Sequence, residues 1–228
     1  RLDMWLDEVG NDPDRLGIGR LSLRNSCLRY ASNRLLAHDL LRRHPEIHDI
    51  KIVRPIIILG LPRTGTTHLL NVLSADAHLR SLPLWESYEP IPIAGESSSA
   101  DGVDPRHQRC AKEWEQMQAV TPHVALMHPM DPDHVHEEIE LMLPDFSSYN
   151  LEWVARCPQW RDHYLSHDQQ PHYDYMHTML KVLTFLRPKN RWVLKSPQHF
   201  EQIGPLMKTF PDACVVMTHR DPVSVIQS

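Results

Sequence analysis

The sequence predicts an α/β fold, a parallel sheet with helices on both faces, organised around a strand, loop and helix that form an anion cradle. Three observations lead there. Ile56 to Leu59 is an apolar, β-branched run typical of a strand buried on both faces. Gly60 to Gly65 breaks that run with two glycines and a proline, after which Leu69, Leu70 and Leu73 resume at helical spacing. Two further apolar runs, Arg191 to Leu194 and Ala213 to Thr218, alternate with helical patterns, as parallel strands do.

Taken in order, residues 1 to 24 mix charge and glycine around Trp5 and read as an irregular or partly helical arm. Leu28, Ala31, Leu35, Leu36, Leu40 and Leu41 then define an amphipathic helix from about Asn25 to His44, ended by Pro45. The central strand, loop and helix follow. Prolines 83, 90 and 92 argue against regular helix between Asp76 and Pro92, and Glu96 to Asp104 reads as a polar surface loop. Pro105 to Val120 is a helix with Trp114 and Met117 on its apolar side. Asp131 to Leu143 is a second, with Asp131 as N-cap and Pro132 at its first position. In that reading Glu137 and Glu138 belong to an acidic opening turn favoured by the helix dipole, with Glu137 or Glu138 facing the acceptor pocket as the alternative. The aromatic stretch from Pro144 to Gln170 is irregular and roofs the core by default, with an acceptor pocket as the alternative. Pro171 to Leu186 is a helix, and His199 to Phe210 is another.

Composition sets limits. The 228 residues suffice for one core, and the chain reads as a single domain, cut at both ends because it starts at Arg1 and stops at Ser228 within a helical pattern. A net charge of −5 disfavours nucleic acid or an anionic membrane as the main partner, so any anion site is local. Cys27, Cys110, Cys157 and Cys214 are widely spaced, which suggests reduced thiols in a cytoplasmic setting, with Cys214 in the core. No run has the length of a membrane span and no signal peptide is visible.

Ligands of such sheets bind beyond the carboxyl ends of the strands. Three segments fall there. The first, Gly60-x-x-x-x-Gly65-Thr66-Thr67, matches the nucleotide P-loop except that Thr66 stands at the lysine position, which argues against a magnesium–nucleoside triphosphate. Arg63 supplies a cation inside the loop instead. The second is Lys195-Ser196-Pro197. The third is His219-Arg220-Asp221-Pro222 through Ser228, with the form of a helix start. Two separated anionic groups on one ligand would suit this layout.

These residues resemble the sulfotransferases that use 3′-phosphoadenosine 5′-phosphosulfate, most closely the bacterial branch with mycobacterial members. Pro62 to Thr67 looks like their 5′-phosphosulfate loop, Lys195-Ser196-Pro197 like their strand-end lysine motif, and Arg220 with Ser228 eight residues later like their 3′-phosphate motif. The resemblance implies a P-loop-like, three-layer domain with a mostly helical insertion. Residues 1–50 would form an N-terminal helical arm, 51–80 the phosphosulfate-binding unit, 81–186 the acceptor side and 187–228 the lysine and 3′-phosphate motifs. It implies sulfuryl transfer to a hydroxyl or amine of a small-molecule, lipid or glycolipid acceptor, leaving adenosine 3′,5′-bisphosphate, with no metal required. Arg63, Thr64, Gly65, Thr66, Thr67, His68, Arg220 and Ser228 would bind the donor, with Arg63 and Lys195 at the leaving oxygen. His68 occupies the place of an adenine-stacking residue.

The proton acceptor is less direct. Cytosolic members place a histidine two residues after the lysine, where this chain has Pro197; other branches use a glutamate after the loop helix, and Glu86 fits that position. Glu86 is therefore the expected base, with His199 and His136 in reserve. The His134-Val135-His136-Glu137-Glu138 segment lacks zinc-helix spacing and carries no metal expectation. The alternatives are a P-loop-like kinase or nucleotide hydrolase and a non-catalytic nucleotide-binding protein.

Overall fold

The N-terminal arm folds into two helices, α1 (Leu2–Gly10) and α2 (Gly17–Arg43), so the predicted amphipathic helix starts eight residues earlier than its apolar pattern suggests. This computed structural model describes residues 1–128, 130–188 and 191–228. The central unit follows as strand β1 (Ile56–Leu59) and helix α3 (Thr66–Ser74). Next come β2 (Leu79–Arg80), β3 (Leu82–Pro83), α4 (Leu84–Tyr88), α5 (Pro105–Val120) and α6 (Val124–Met127). Helix α5 has the predicted span, while α4 is a five-residue helix set between the prolines.

The predicted helix from Asp131 to Leu143 does not form. Val135–His136 is instead a strand, β4, paired antiparallel with β3, and Glu138–Asp145 is a 3-10 helix. Tertiary pairing overrides the helical cap signal there, and nearly every residue of the 3-10 segment is buried, so no solvent face exists for an amphipathic helix. The aromatic stretch then yields α7 (Asn150–Val154) and α8 (Pro158–Ser166), and α9 (Gln170–Leu186) starts within one residue of prediction. Phe146, Tyr149, Trp160 and Tyr164 are buried against Trp5 and Val9 of α1, so these four do roof a core. Strand β5 (Arg191–Lys195) leads to α10 (Gln198–Glu201) and α11 (Ile203–Thr209), two helices where one was expected. Strand β6 (Cys214–Met217) and α12 (Pro222–Gln227) complete the described chain.

The main sheet has the order β2-β5-β1-β6, all parallel. Side-chain alternation along its strands builds two cores. Ile57, Leu59, Trp192 and Leu194 pack with Met176, Leu180 and Leu183 of α9 and with Leu206 of α11. Ile58 and Val193 face the other way, onto Leu70 of α3. Helices thus cover both faces, as expected for this class. Strand β6 is the exception: it is an edge strand, and Cys214 is exposed rather than in the core.

Candidate active site

Strands β5, β1 and β6 lie side by side and point the same way, so their carboxyl ends share one edge of the sheet. Register fixes the levels: Lys195 lies opposite Ile58, and Met217 opposite Leu59. The loop after β1 is closed by Thr64, whose amide and hydroxyl both donate to the Leu61 carbonyl at 3.3 and 2.6 Å. The same hydroxyl meets the Thr218 hydroxyl at 2.7 Å, stapling the loop to the end of β6. Gly60 permits this approach, because a Cβ there would lie 2.3 Å from Thr218 Oγ1. Gly65 occupies the N-cap of α3 at φ +90°, and no side chain caps that helix. The first intrahelical bond runs from Leu69 N to Gly65 O at 3.0 Å, so the amides of Thr66, Thr67 and His68 have no carbonyl within the helix. Those amides and the positive end of the dipole make an anion site.

Arg63, Gly65, Thr66, Thr67 and Arg220 surround an open cavity of about 260 Å³ at this end of α3. Arg220 donates to the Arg63 carbonyl at 3.0 Å, and Arg63 Nε donates to Ser228 Oγ at 3.1 Å. The loop and the Arg220–Ser228 motif, far apart in sequence, are thus one cationic structure. Several details sharpen the sequence reading. Thr66, at the lysine position, is buried. Thr64 closes the loop with both its amide and its hydroxyl. His68 is exposed on the first turn of α3, outside the residues that line the cavity. Asp221 caps α12 by accepting from Ser224 N at 2.8 Å, so that short helix is closed by its own carboxylate.

Lys195 is 4% exposed, and its ammonium pairs with Glu137, a residue the sequence placed in a helical turn. Its amide donates to Glu138 Oε2 at 2.8 Å. The other oxygen of Glu138 meets His199 Nε2 at 2.6 Å, and His199 Nδ1 meets the Tyr173 hydroxyl at 2.9 Å. Burial raises the Tyr173 phenol well above its ordinary range, so it stays protonated. Both ring nitrogens of His199 are therefore engaged in a fully buried chain that fixes the end of β5. Glu137 and Glu138 come to Lys195 because Val135–His136 pairs with β3, a long-range contact that no local pattern around Val135 signals.

Glu86 lies elsewhere. It is 2% exposed and accepts from Arg80 Nη2 at 2.6 Å and Arg187 Nη2 at 2.9 Å. Arg80 is in register with Trp192, three residues before Lys195 and hence about 10 Å lower along the strand. Arg187 precedes β5 altogether. Glu86 is thus tied into a buried ion-pair group with Arg80 and Arg187. His136, the other reserve, meets Glu140 at 3.3 Å. It clusters with His128 and His134 at ring separations of 4.8 to 6.2 Å. Burial, helped by those two neighbours, holds His134 down to about 4. Among the described residues no group of His, Cys, Asp or Glu is arranged to hold a metal ion.

A parallel α/β sheet with a glycine loop, an uncapped helix end and two arginines over one cavity defines a P-loop-like fold without the nucleotide-kinase lysine. A family model described as the sulfotransferase family matches residues 55–228, and the chain belongs to that family. Sulfotransferase STF9 from Mycobacterium avium superposes with a TM-score of 0.84 at 30% identity, over 97% of this chain and 57% of that one. Sulfotransferase STF1 from Mycobacterium tuberculosis H37Rv gives 0.80 at 28% identity, over 96% and 60%. The chain therefore spans somewhat under two thirds of the length of either protein. No curated protein sequence matches it.

Proposed function

We propose that this chain carries the donor site of a cytoplasmic bacterial sulfotransferase that moves a sulfuryl group from 3′-phosphoadenosine 5′-phosphosulfate to a hydroxyl or amine of a small-molecule or lipid acceptor. The observation that carries this reading is the joined cradle, in which Arg220 donates to the Arg63 carbonyl and Arg63 to Ser228. One cationic surface serving two separated anions suits a donor with 5′ and 3′ phosphates better than a triphosphate. The buried Thr66, where a nucleotide kinase needs lysine, favours the same side. Free thiols at all four cysteines fit a reducing compartment.

In this mechanism the amides of Thr66, Thr67 and His68 hold the 5′-phosphate, while Arg220 and Ser228 hold the 3′-phosphate. Lys195, on the neighbouring strand end, supplies a cation to the oxygen that leaves sulfur, and Arg63 adds a second. Sulfuryl transfer of this kind depends on in-line positioning and charge compensation more than on covalent chemistry. The buried chain from Tyr173 through His199 and Glu138 to the Lys195 amide anchors the backbone from which the lysine projects.

Incubation with the donor and a panel of alcohols and amines, read by mass spectrometry, tests the proposal. Sulfated acceptor with an equal amount of adenosine 3′,5′-bisphosphate is the expected result. Transfer of phosphate from ATP to the same panel, with no sulfuryl transfer, would place the chain with the kinases.

A further inference from the structure

The N-terminal arm has a groove of its own. Helices α1 and α2, with Phe146, enclose about 390 Å³. Trp5, Val9, Leu23 and Phe146 are buried there, while Leu6 and Leu28 are exposed, so a closed apolar floor meets an open apolar lip. The Trp5 indole donates to the Leu151 carbonyl at 3.4 Å, which leaves the floor without a free side-chain donor. Arg15, Arg20 and Arg24 also line the groove, and no acidic side chain does so among the described residues. Arg20 donates to the carbonyls of Gly10 and Asp12 at 2.6 and 2.7 Å, contacts that hold the guanidinium without cancelling its charge. Arg24 is exposed and has no ion-pair partner among the described residues. Arg15 pairs with Asp12 at 3.3 Å, yet its Nε is buried and unpartnered among the described residues, which is costly for a donor kept from water. On a chain of net charge −5, this is a local concentration of positive charge around an apolar groove.

We propose that the groove between α1 and α2 binds an anionic single-chain amphiphile, a fatty carboxylate, with its apolar chain over Trp5 and Phe146 and its head on Arg20 and Arg24. The volume is that of a small-ligand site, and burial of successive methylenes on the apolar floor supplies the affinity. A carboxylate accepts from guanidinium groups in charge-assisted pairs, which a neutral or cationic head cannot do. A planar anionic bilayer matches the arm less well than one carboxylate. Asp3, Asp7 and Asp14 are exposed on the same arm outside the groove and would meet its headgroups, whereas a single head in the groove meets only the arginines. The groove shares no lining residue with the cradle of Arg63 and Arg220, so it is a second site and stands apart from the sulfotransferase reading.

Calorimetry of the chain with dodecanoate, kept below its micelle-forming concentration, tests this beside octanoate, dodecyltrimethylammonium and vesicles of phosphatidylglycerol. Expected are saturable one-to-one binding of dodecanoate and about 100-fold weaker binding of octanoate, whose shorter chain buries fewer methylenes. The cationic amphiphile should not bind. Arg24→Glu reverses the free charge at an exposed position, and Ala31→Trp fills part of the groove from another. Each should weaken dodecanoate at least about tenfold while circular dichroism and the melting temperature stay level. Absence of dodecanoate binding, octanoate as tight as dodecanoate, equal binding of the cationic amphiphile, or dodecanoate binding that survives either substitution in a folded protein overturns the proposal. So does binding to vesicles without binding to monomeric dodecanoate, which marks a membrane surface. A dimer in sedimentation that Ala31→Trp dissociates, with no dodecanoate binding, overturns it in favour of a second copy of the chain. The octanoate and ammonium titrations use the unsubstituted chain and decide the matter if a variant fails to fold.

Discussion

Gly60→Ala probes the cradle through a single methyl group. A Cβ at this position would lie 2.3 Å from Thr218 Oγ1, 2.8 Å from Thr64 Oγ1 and 3.0 Å from Thr66 Cγ2. All three belong to the parts that shape the anion site. The closest is more than 1 Å inside ordinary contact, so the loop must lift, the end of β6 must shift, or the Thr64–Thr218 staple must open. Overpacking of this kind costs about 1–3 kcal/mol. For a chain of this length that lowers the melting temperature by about 2–12 °C. If the distortion falls on the cradle, the same energy weakens adenosine 3′,5′-bisphosphate about 5- to 150-fold. Thermal melts and calorimetry on Gly60→Ala and on Gly60→Ala with Thr218→Ala measure both. The second substitution removes the hydroxyl at 2.3 Å and should recover part of the affinity. Wild-type affinity and stability in Gly60→Ala would refute the close approach of loop and strand end.

Arg220→Ala removes a guanidinium from the cradle and its bond to the Arg63 carbonyl. Hydrogen bonds to charged groups contribute about 1.5–3 kcal/mol, so bisphosphate affinity should fall about 10- to 150-fold by calorimetry. Glu86→Gln should act on stability, since it leaves the buried Arg80 without its carboxylate. A loss of about 3 kcal/mol or more is expected in denaturant melts with bisphosphate affinity retained; an unchanged melt with abolished transfer would support Glu86 as the base. His134 titrates lower in the folded chain than in the unfolded one. The unfolded state therefore takes the proton first, and stability falls as pH drops from about 6.5 towards 4. His134→Gln should flatten that part of the pH–stability curve, and an unaltered curve would count against the half-buried, neutral ring.

The cradle around α3 was legible because local chemistry dictates its shape. Glycines at 60 and 65, Arg63 within the loop and the Arg220–Ser228 spacing each occupy the place their residue type requires, and the parallel register brings them together. The surroundings of Lys195 were not legible. Asp131-Pro132 carries a helix-cap signal, yet pairing of β4 with β3 overrides it and delivers Glu137 and Glu138 to Lys195. That pairing joins residues about fifty apart, and no local pattern encodes it. Glu86 has the expected sequence offset from the loop, and what its offset does not show is its pairing with two arginines beside β5. Cys214 reads as core from its apolar neighbours and is exposed because β6 is an edge strand.

The most direct test of the account is calorimetric titration of the chain with adenosine 3′,5′-bisphosphate in the absence of magnesium, beside ATP with and without it. The cradle of Arg63, Gly65, Thr66, Thr67 and Arg220 predicts submicromolar bisphosphate binding that ignores magnesium, a Kd below about 1 μM corresponding to about −8 kcal/mol. Magnesium-dependent ATP binding with no affinity for the bisphosphate would contradict it.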